Sequence, residues 1–372
     1  MNEKLLCLRC SGCGREYKPG DHYLCECGGV LESSYDLRDL RFHGRGMWRY
    51  GDLLPTKRET KLLIGSTPLY APDLPGMSNV YLKDETRNPS LSLKDRASAV
   101  VVSLAKEFGY TEVSCASTGN AAISLACLCA SEGLGSHIFV SKTPSEQKLA
   151  LLRAFGAGIV IVNGSYDDAY DECNRISEKN GYYNRNTAHN PYTIDGKKTV
   201  SFEIFSEFGV PDLIYVPVGD GCIISGVWKG FVELKNGGLT DRLPVLVGVQ
   251  AEGCKPLADA FTAGLKAPER VMSSTRAESI GVGYPRNGLM ALRDVRNSRG
   301  RFVSVSDEDM IEAMRLISSS TGIFPEIASA STIAAIQEDI SSGRIDGGSS
   351  VIALMTGSGI KNSQSMEVFT CP

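Results

Sequence analysis

The sequence predicts an α/β protein of two doubly wound parallel-sheet domains behind a short cysteine-bearing segment, and three observations carry that prediction. From about residue 98, strand-like runs of Val, Ile and Phe alternate with amphipathic runs of helical length, the mark of a parallel sheet covered on both faces. At 372 residues the chain exceeds the length at which one core stops growing, so two domains are expected. Cys7, Cys10, Cys13, Cys25 and Cys27 crowd the first 27 residues, while the other seven of the twelve cysteines are scattered, which sets the N-terminal segment apart.

That segment reads "CSGCGREYKPGDHYLCECGGVLE", with Cys10-x2-Cys13, eleven residues, then Cys25-x-Cys27, and a glycine after each pair. Two such knuckles close on one tetrahedral structural zinc, the glycines letting backbone N–H groups approach the thiolates. The second pair is one residue tighter than the usual C-x2-C. Cys7 is a spare ligand, and a metal-free cluster of reduced thiols is the alternative reading. Cys115, Cys127 and Cys129 fall in apolar runs, where reduced cysteine acts as a small hydrophobe.

Composition removes several function classes. The net charge is −4 with no run of five or six like charges, which argues against nucleic-acid or anionic-membrane surfaces. No apolar stretch reaches the roughly 18 residues that span a bilayer, and "MNEKLLCLRC" lacks the succession of a signal peptide. A soluble, cytoplasmic protein is expected.

In "NPSLSLKDRASAV", residues 88–100, Lys94 stands where a helix begins, although free N–H groups and the macrodipole disfavour a cation there. The helix is marked by Val101, Leu104, Ala105 and Phe108 at helical spacing. Strand "VSCAS", helix "NAAISLACLCASEG", strand "SHIFVS", helix "SEQKLALLRAFG", strand "GIVIVNG" and helix "YDDAYDECNRISEKNG" follow in order. A second series resumes with "DLIYVPVG", "GCIISGVWKGFVELKNGG", "PVLVGVQA" and "SVIALMTGSG". Expected boundaries are 1–40 for the zinc-ribbon-like segment, 41–98 with 191–372 for a large cofactor domain, and 99–190 for a small one. Residues 263–300 read as a loop-rich excursion over a cleft between the domains.

Ligands of such sheets sit beyond the carboxyl ends of strands. Three loops there carry different tools. "VPVGDG" places Gly219 and Gly221 before a helix, as in a backbone phosphate cradle, without the ending of a Walker loop. "STGNAA" puts Ser117, Thr118, Gly119 and Asn120 at another helix start, as donors or as an ordinary cap. "MTGSGIKN" ends a strand with Thr356 and Ser358. A cradle, a donor loop, a terminal hydroxyl and a lysine near a helix dipole together fit pyridoxal phosphate.

Along nearly its whole length the chain resembles the threonine synthases of the fold-type II, tryptophan synthase β-like pyridoxal-phosphate enzymes. The motifs, in order, are "CxxCG", "CGGVLESSYDL", "LKDETRNPSLSLKDRAS", "ASTGNAA", "NPYTIDGKKT", "PVGDG", "FPEIASA" and "TGSGIKN". The resemblance implies that Lys94 condenses with the cofactor aldehyde and, displaced by the substrate amine, removes the α proton. Asp95 then holds local geometry. Asn120 matches the amide at the ring hydroxyl, while Gly219, Asp220, Gly221, Cys222 and Ile223 form the phosphate loop. Thr356 faces the pyridine nitrogen, where a hydroxyl in place of a carboxylate steers the chemistry toward elimination. Ser92, Ser117, Thr118, Gly119, Asn184, Arg185 and Lys197 are the expected contacts to a phosphorylated amino-acid substrate. The implied reaction expels phosphate from O-phosphohomoserine and adds water to give threonine, in an enzyme that is usually a homodimer.

Some positions depart from that pattern. Asp220 stands where Asn is general, and its carboxylate must turn from a phosphate, for instance to cap the following helix. Thr193 stands where related enzymes often carry a phosphate-binding arginine, leaving Arg185 or Lys197 to substitute unless both are solvated surface charges. Glu278 replaces a smaller polar residue. The runner-up is therefore β-replacement or elimination on O-phosphoserine or a related amino acid. From another class, a zinc ribbon fused to a degenerate enzyme would bind nucleic acid through Arg38, Arg41, Arg45, Trp48 and Arg49, which Glu26, Glu32, Asp36 and Asp39 offset.

Overall fold

The computed structural model describes residues 1–141, 145–367 and 369. The chain folds as two compact units, residues 1–66 with 88–199, and residues 67–87 with 200–372.

The first unit begins with a three-stranded antiparallel sheet in which Leu5–Cys10 lies between Glu16–Tyr17 and Leu31–Tyr35. Leu31, Ser33 and Tyr35 alternate inward, the period of a half-buried strand. Its second layer is a four-stranded parallel sheet in the order Gly158–Val162, Gly135–Ser141, Glu112–Ala116, Tyr183–Asn184. Helices Asn120–Glu132 and Tyr166–Asn180 pack on its central strands. The first is apolar almost all round and is buried accordingly; the second is amphipathic and carries a Ser165 capping box.

Residues 88–98 were expected with the large domain, but helix Lys94–Glu107 groups with the first unit. Its face of Ala97, Val101 and Leu104 is fully buried, and Ser124 of the neighbouring helix donates to Ser98 at 2.8 Å. Residues 192–199 of helix Tyr192–Phe208 join the same unit. There Gly196 lies so close to the Arg96 carbonyl that a Cβ would collide with it.

The second unit is a six-stranded sheet in the order Arg301–Val305, Val245–Ala251, Leu213–Pro217, Val351–Met355, Val80–Asp84, Leu69–Tyr70. All pairs are parallel except the edge strand Leu69–Tyr70. Every residue of Val351–Met355 is buried, as a continuous apolar strand inside a parallel sheet should be. Helices Asp307–Thr321 and Ile327–Ser341 close the core through Met310, Met314, Ile317, Ile333 and Ile336.

Within 263–300, expected to be loop-rich, Gly288–Asn297 is a helix and 263–287 holds no helix or strand. Met290, Ala291, Asp294 and Val295 face inward, and the buried aspartate at a core position breaks the apolar period that would have revealed it. Among the described residues, no helix is long and apolar enough to cross a membrane.

Candidate active site and metal centre

In the first unit, the turn before Lys94 is held by Leu91 N–H donating to Asn88 O at 2.8 Å, with Leu91 in the left-handed region at φ 61°. Asp95 is fully buried, and its carboxylate accepts the Ser90 N–H at 2.6 Å and the Ser90 hydroxyl. It therefore fixes the turn, as the resemblance implied. Lys94, the first helical residue, is half-buried, and no side chain caps this helix start. Beside it, the Ser92 hydroxyl is buried without a hydrogen-bond partner.

Strand Glu112–Ala116 delivers Ser117, Thr118 and Gly119 to the start of helix Asn120–Glu132, all half-buried. Ser117 Oγ accepts the Gly119 N–H at 3.2 Å, and again no side chain caps the helix. Arg185 and Lys197 are not solvated surface charges, since each is only 1% exposed. Arg185 Nε reaches Ser98 Oγ at 3.4 Å, whereas its Nη2 is buried with no acceptor among the described residues. A buried charged donor without a partner is costly to the protein. Asn184 differs: its Nδ2 donates to Asn174 Oδ1 and its Oδ1 accepts the Asn186 N–H, both at 2.8 Å, so its amide is committed to the protein. The Thr193 hydroxyl donates to Asn190 O at 2.9 Å.

In the second unit, strand Leu213–Pro217 runs into Gly219, Asp220 and Gly221 at the start of helix Cys222–Asn236. A Cβ at Gly219 would lie 2.9 Å from Val282 Cγ2, and Gly221, at φ 89°, would press on Ala291 at 2.7 Å. Cys222 is buried and Ile223 half-buried in the first turn. The expected cap by Asp220 is not formed: Gly221 is the N-cap with no side-chain bond, and Asp220 Oδ1 accepts the Arg286 N–H at 2.7 Å instead. The carboxylate is drawn toward the 286 segment, leaving an uncapped helix start that suits a phosphate. Thr356, ending strand Val351–Met355, is buried with its hydroxyl 3.1 Å from Ser329 Oγ, which also accepts the Gly357 N–H at 3.0 Å. Glu326 N–H donates to Gly357 O at 2.9 Å, and Ser279 donates to the Glu326 carboxylate at 3.0 Å. Glu278 is exposed. The contacts of Ser329 and Glu326 were not foreseen, because "FPEIASA" gives no sign that it lies against the end of a distant strand.

The cysteine cluster also lies in the first unit. The sulfurs of Cys10, Cys13, Cys25 and Cys27 all fall within 4.8 Å of one another, with Cys10–Cys27 and Cys13–Cys25 at 3.5 Å. Four sulfurs at 2.3 Å from a tetrahedral zinc stand about 3.8 Å apart, so the set fits that ion and is too wide for disulfides. Cys7 lies outside the cluster. Gly12 and Cys13 N–H groups approach Cys10 Sγ at 3.4 and 3.5 Å. The Tyr17 hydroxyl donates to Cys25 at 3.2 Å and is the main reason its thiol is drawn down to about 6. Against the Gly29 N–H, the other three sulfurs push Cys27 up to about 12, so full ionisation of the set requires a cation among them. Of the side chains a nucleic-acid face would use, Arg38 is paired with Asp36 and Trp48 is buried on Thr60, whereas Arg41, Arg45 and Arg49 are exposed.

A family model described as pyridoxal-phosphate dependent enzyme matches residues 60–357. The chain is 37% identical to a threonine synthase of Methanocaldococcus jannaschii over 95% of its length and 92% of the relative's. It is 35% identical to a threonine synthase of Methanosarcina acetivorans over 96% and 93%. Among solved structures, the processed form of threonine deaminase isoform 2 from Solanum lycopersicum superposes with a TM-score of 0.67 at 21% identity, covering 82% of this chain and 90% of that one. Maize serine racemase gives 0.67 at 21%, covering 81% and 92%. At that identity these two show the fold alone. With a family model spanning residues 60–357 and 37% identity carried across 95% of its length, the chain belongs to the pyridoxal-phosphate dependent enzymes and, within them, to the fold-type II lyases of the threonine synthase family.

Proposed function

We propose that the chain expels phosphate from O-phospho-L-homoserine and adds water, giving L-threonine and phosphate. The observation that carries this reading is Arg185, a buried guanidinium whose Nη2 has no acceptor among the described residues. It supplies a fixed cation for the substrate phosphate where Thr193 offers only a hydroxyl already bonded to Asn190. The relatives named threonine synthase support threonine as the product.

Pyridoxal phosphate, when bound, supplies an electron sink for negative charge on the carbon beside the substrate amine. Gly219, Asp220, Gly221, Cys222 and Ile223 would hold its phosphate through backbone N–H groups, Thr356 its ring nitrogen, Asn120 its ring hydroxyl, and Lys94 its aldehyde carbon. Lys94, placed by the Ser90–Asp95 turn, would take the α proton as general base. Ser117, Thr118 and Gly119 receive the substrate carboxylate at an uncapped helix start. Ser92 offers a buried hydroxyl with no partner among the described residues. Ser329 fixes the Thr356 hydroxyl. Cys10, Cys13, Cys25 and Cys27 would hold one structural zinc. The working form is a homodimer, which sedimentation tests.

A second reading, β-replacement or elimination on O-phosphoserine, is favoured by one observation: Thr193 leaves the phosphate to Arg185 and Lys197, so the site is not built like that of the usual synthases. Inorganic phosphate released from each substrate separates the two. Release from O-phosphoserine but not from O-phosphohomoserine removes the first reading. Borohydride reduction should fix a chromophore on Lys94, and its appearance on any other lysine overturns the cofactor assignment.

A further inference from the structure

We propose that the cysteine-bearing segment is a strap that positions residues 184–199, acting through Asp195 and Tyr23 as positioning residues; this rests on the zinc and substrate readings given above. Residues 14–24 are bracketed by the two cysteine pairs, and three of them reach outward. Gly20 exchanges two hydrogen bonds with the Tyr192 hydroxyl, its N–H donating at 3.3 Å and its carbonyl accepting at 2.7 Å. Asp21 accepts the Tyr110 hydroxyl at 3.0 Å. Tyr23 Oη accepts the Asn184 N–H at 2.9 Å, while its ring stacks on His189 with centroids 4.7 Å apart.

Strand Leu31–Tyr35, which follows the second pair, completes the hold. Ser33 lies 2.6 Å from both Asp195 oxygens, and the Tyr35 hydroxyl donates to Asp195 Oδ2 at 2.9 Å. Asp195 is fully buried, so its carboxylate depends on these donors and on Lys198, 3.0 Å away. The Lys198 ammonium sits 3.9 Å from the centroid of the Tyr35 ring. Asp195 and Lys198 share one face of their helix, whereas Lys197, two residues from Asp195, projects about 200° around it. The strap thus grips the back of the helix that carries Lys197, and grips the strand end next to Arg185.

Residues 1–35 bury few large apolar side chains, so a metal cross-link is what would keep this loop closed on its targets. Loss of metal would then loosen the substrate-facing residues while leaving the cofactor loop of the other unit untouched.

The experiment uses full-length holoenzyme and reads zinc content, amide hydrogen exchange of peptides covering 184–199, cofactor absorbance, and KM and kcat separately. Chelated protein, and a zinc-loaded Ser33→Ala/Tyr35→Phe double variant, should each show exchange in 184–199 faster by about tenfold, KM raised about tenfold and kcat within about twofold, with absorbance unchanged. Restoring zinc to the chelated protein should reverse all of this. Unchanged exchange and KM in the zinc-loaded double variant overturn the strap whatever the metal does. Protein that neither contains nor takes up zinc overturns the metal reading and the strap's dependence on it. Faster exchange with no phosphate released from O-phosphohomoserine by the wild type supports the strap while removing the substrate reading.

Discussion

Asp95 accepts both the backbone N–H and the hydroxyl of Ser90, so one buried carboxylate closes the turn that presents Lys94. The two adjacent residues should therefore respond oppositely to removal. Asp95→Ala strands two buried donors and should cost about 2–3 kcal/mol in cofactor-free protein. Lys94→Ala removes a cation from a helix start and should leave that stability unchanged or raise it by up to about 1 kcal/mol. Turnover should nevertheless fall by more than about a thousandfold in Lys94→Ala. Denaturant midpoints of the two variants beside wild type, with turnover measured in parallel, check the pair.

Gly119 and Gly221 are both N-caps, but only one is conformationally required. Gly221 has φ 89° and no room against Ala291, so Gly221→Ala must shift the phosphate loop. Cofactor affinity, followed by absorbance titration, should weaken at least about tenfold, and stability should fall by about 1–3 kcal/mol. At Gly119 a Cβ meets nothing within 4 Å and φ is −126°, so Gly119→Ala should fold and load cofactor normally. The added methyl instead enters the proposed carboxylate site, and KM should rise.

His189 gives the first unit a specific acid sensitivity. Burial lowers its pKa from the ordinary 6.5 to about 4, and its Nδ1 is buried without a hydrogen bond. Because the folded state binds the proton less readily than the unfolded state, the contribution is complete above pH 6.5 and is lost as pH falls toward 4. The loss amounts to at most about 3 kcal/mol. Carboxylates titrate in the same window, so the readout is a difference: His189→Gln should show a shallower fall in unfolding free energy between pH 6.5 and 4 than wild type. Equal slopes would mean that the imidazole is not buried in its neutral form.

The parallel sheets were legible because their strands are nearly continuous apolar runs and their helices keep the 3.6-residue period. Val351–Met355 and Asn120–Glu132 fall within a residue or two of expectation for that reason. Helix Gly288–Asn297 was hidden by Asp294, a polar residue at a core position. The strands Leu5–Cys10 and Arg301–Val305 were overlooked because each is short and has a polar residue within it, Arg9 and Ser304. Within the site, the four-cysteine set was readable from spacing, since its residues are close in sequence, whereas the role of Asp95 was implied only by the resemblance. Ser329 beside Thr356 and Ser33 beside Asp195 were not readable, because each pair joins residues 27 and 162 positions apart, and no local pattern encodes such a contact. Asp220 failed as a cap for the same reason: a backbone N–H at Arg286 competes successfully for it.

Arg185 offers the sharpest separation of stability from function. A buried charge with an unsatisfied donor is a liability to the free protein, and replacing it by an apolar side chain of similar length removes the desolvation cost. Arg185→Met should leave the unfolding free energy unchanged or raise it by about 1–2 kcal/mol. The same change deletes the proposed contact to the substrate phosphate, so kcat/KM for O-phosphohomoserine should drop by at least about a hundredfold, a loss of roughly 3 kcal/mol in transition-state binding. Arg185→Lys keeps the charge but not the planar pair of donors and should fall between the two. The ordering is the test, because a merely structural arginine would lose stability and activity together. If Arg185→Met proves clearly less stable and retains its activity on the phosphorylated substrate, the guanidinium serves the fold and the phosphate must be held elsewhere.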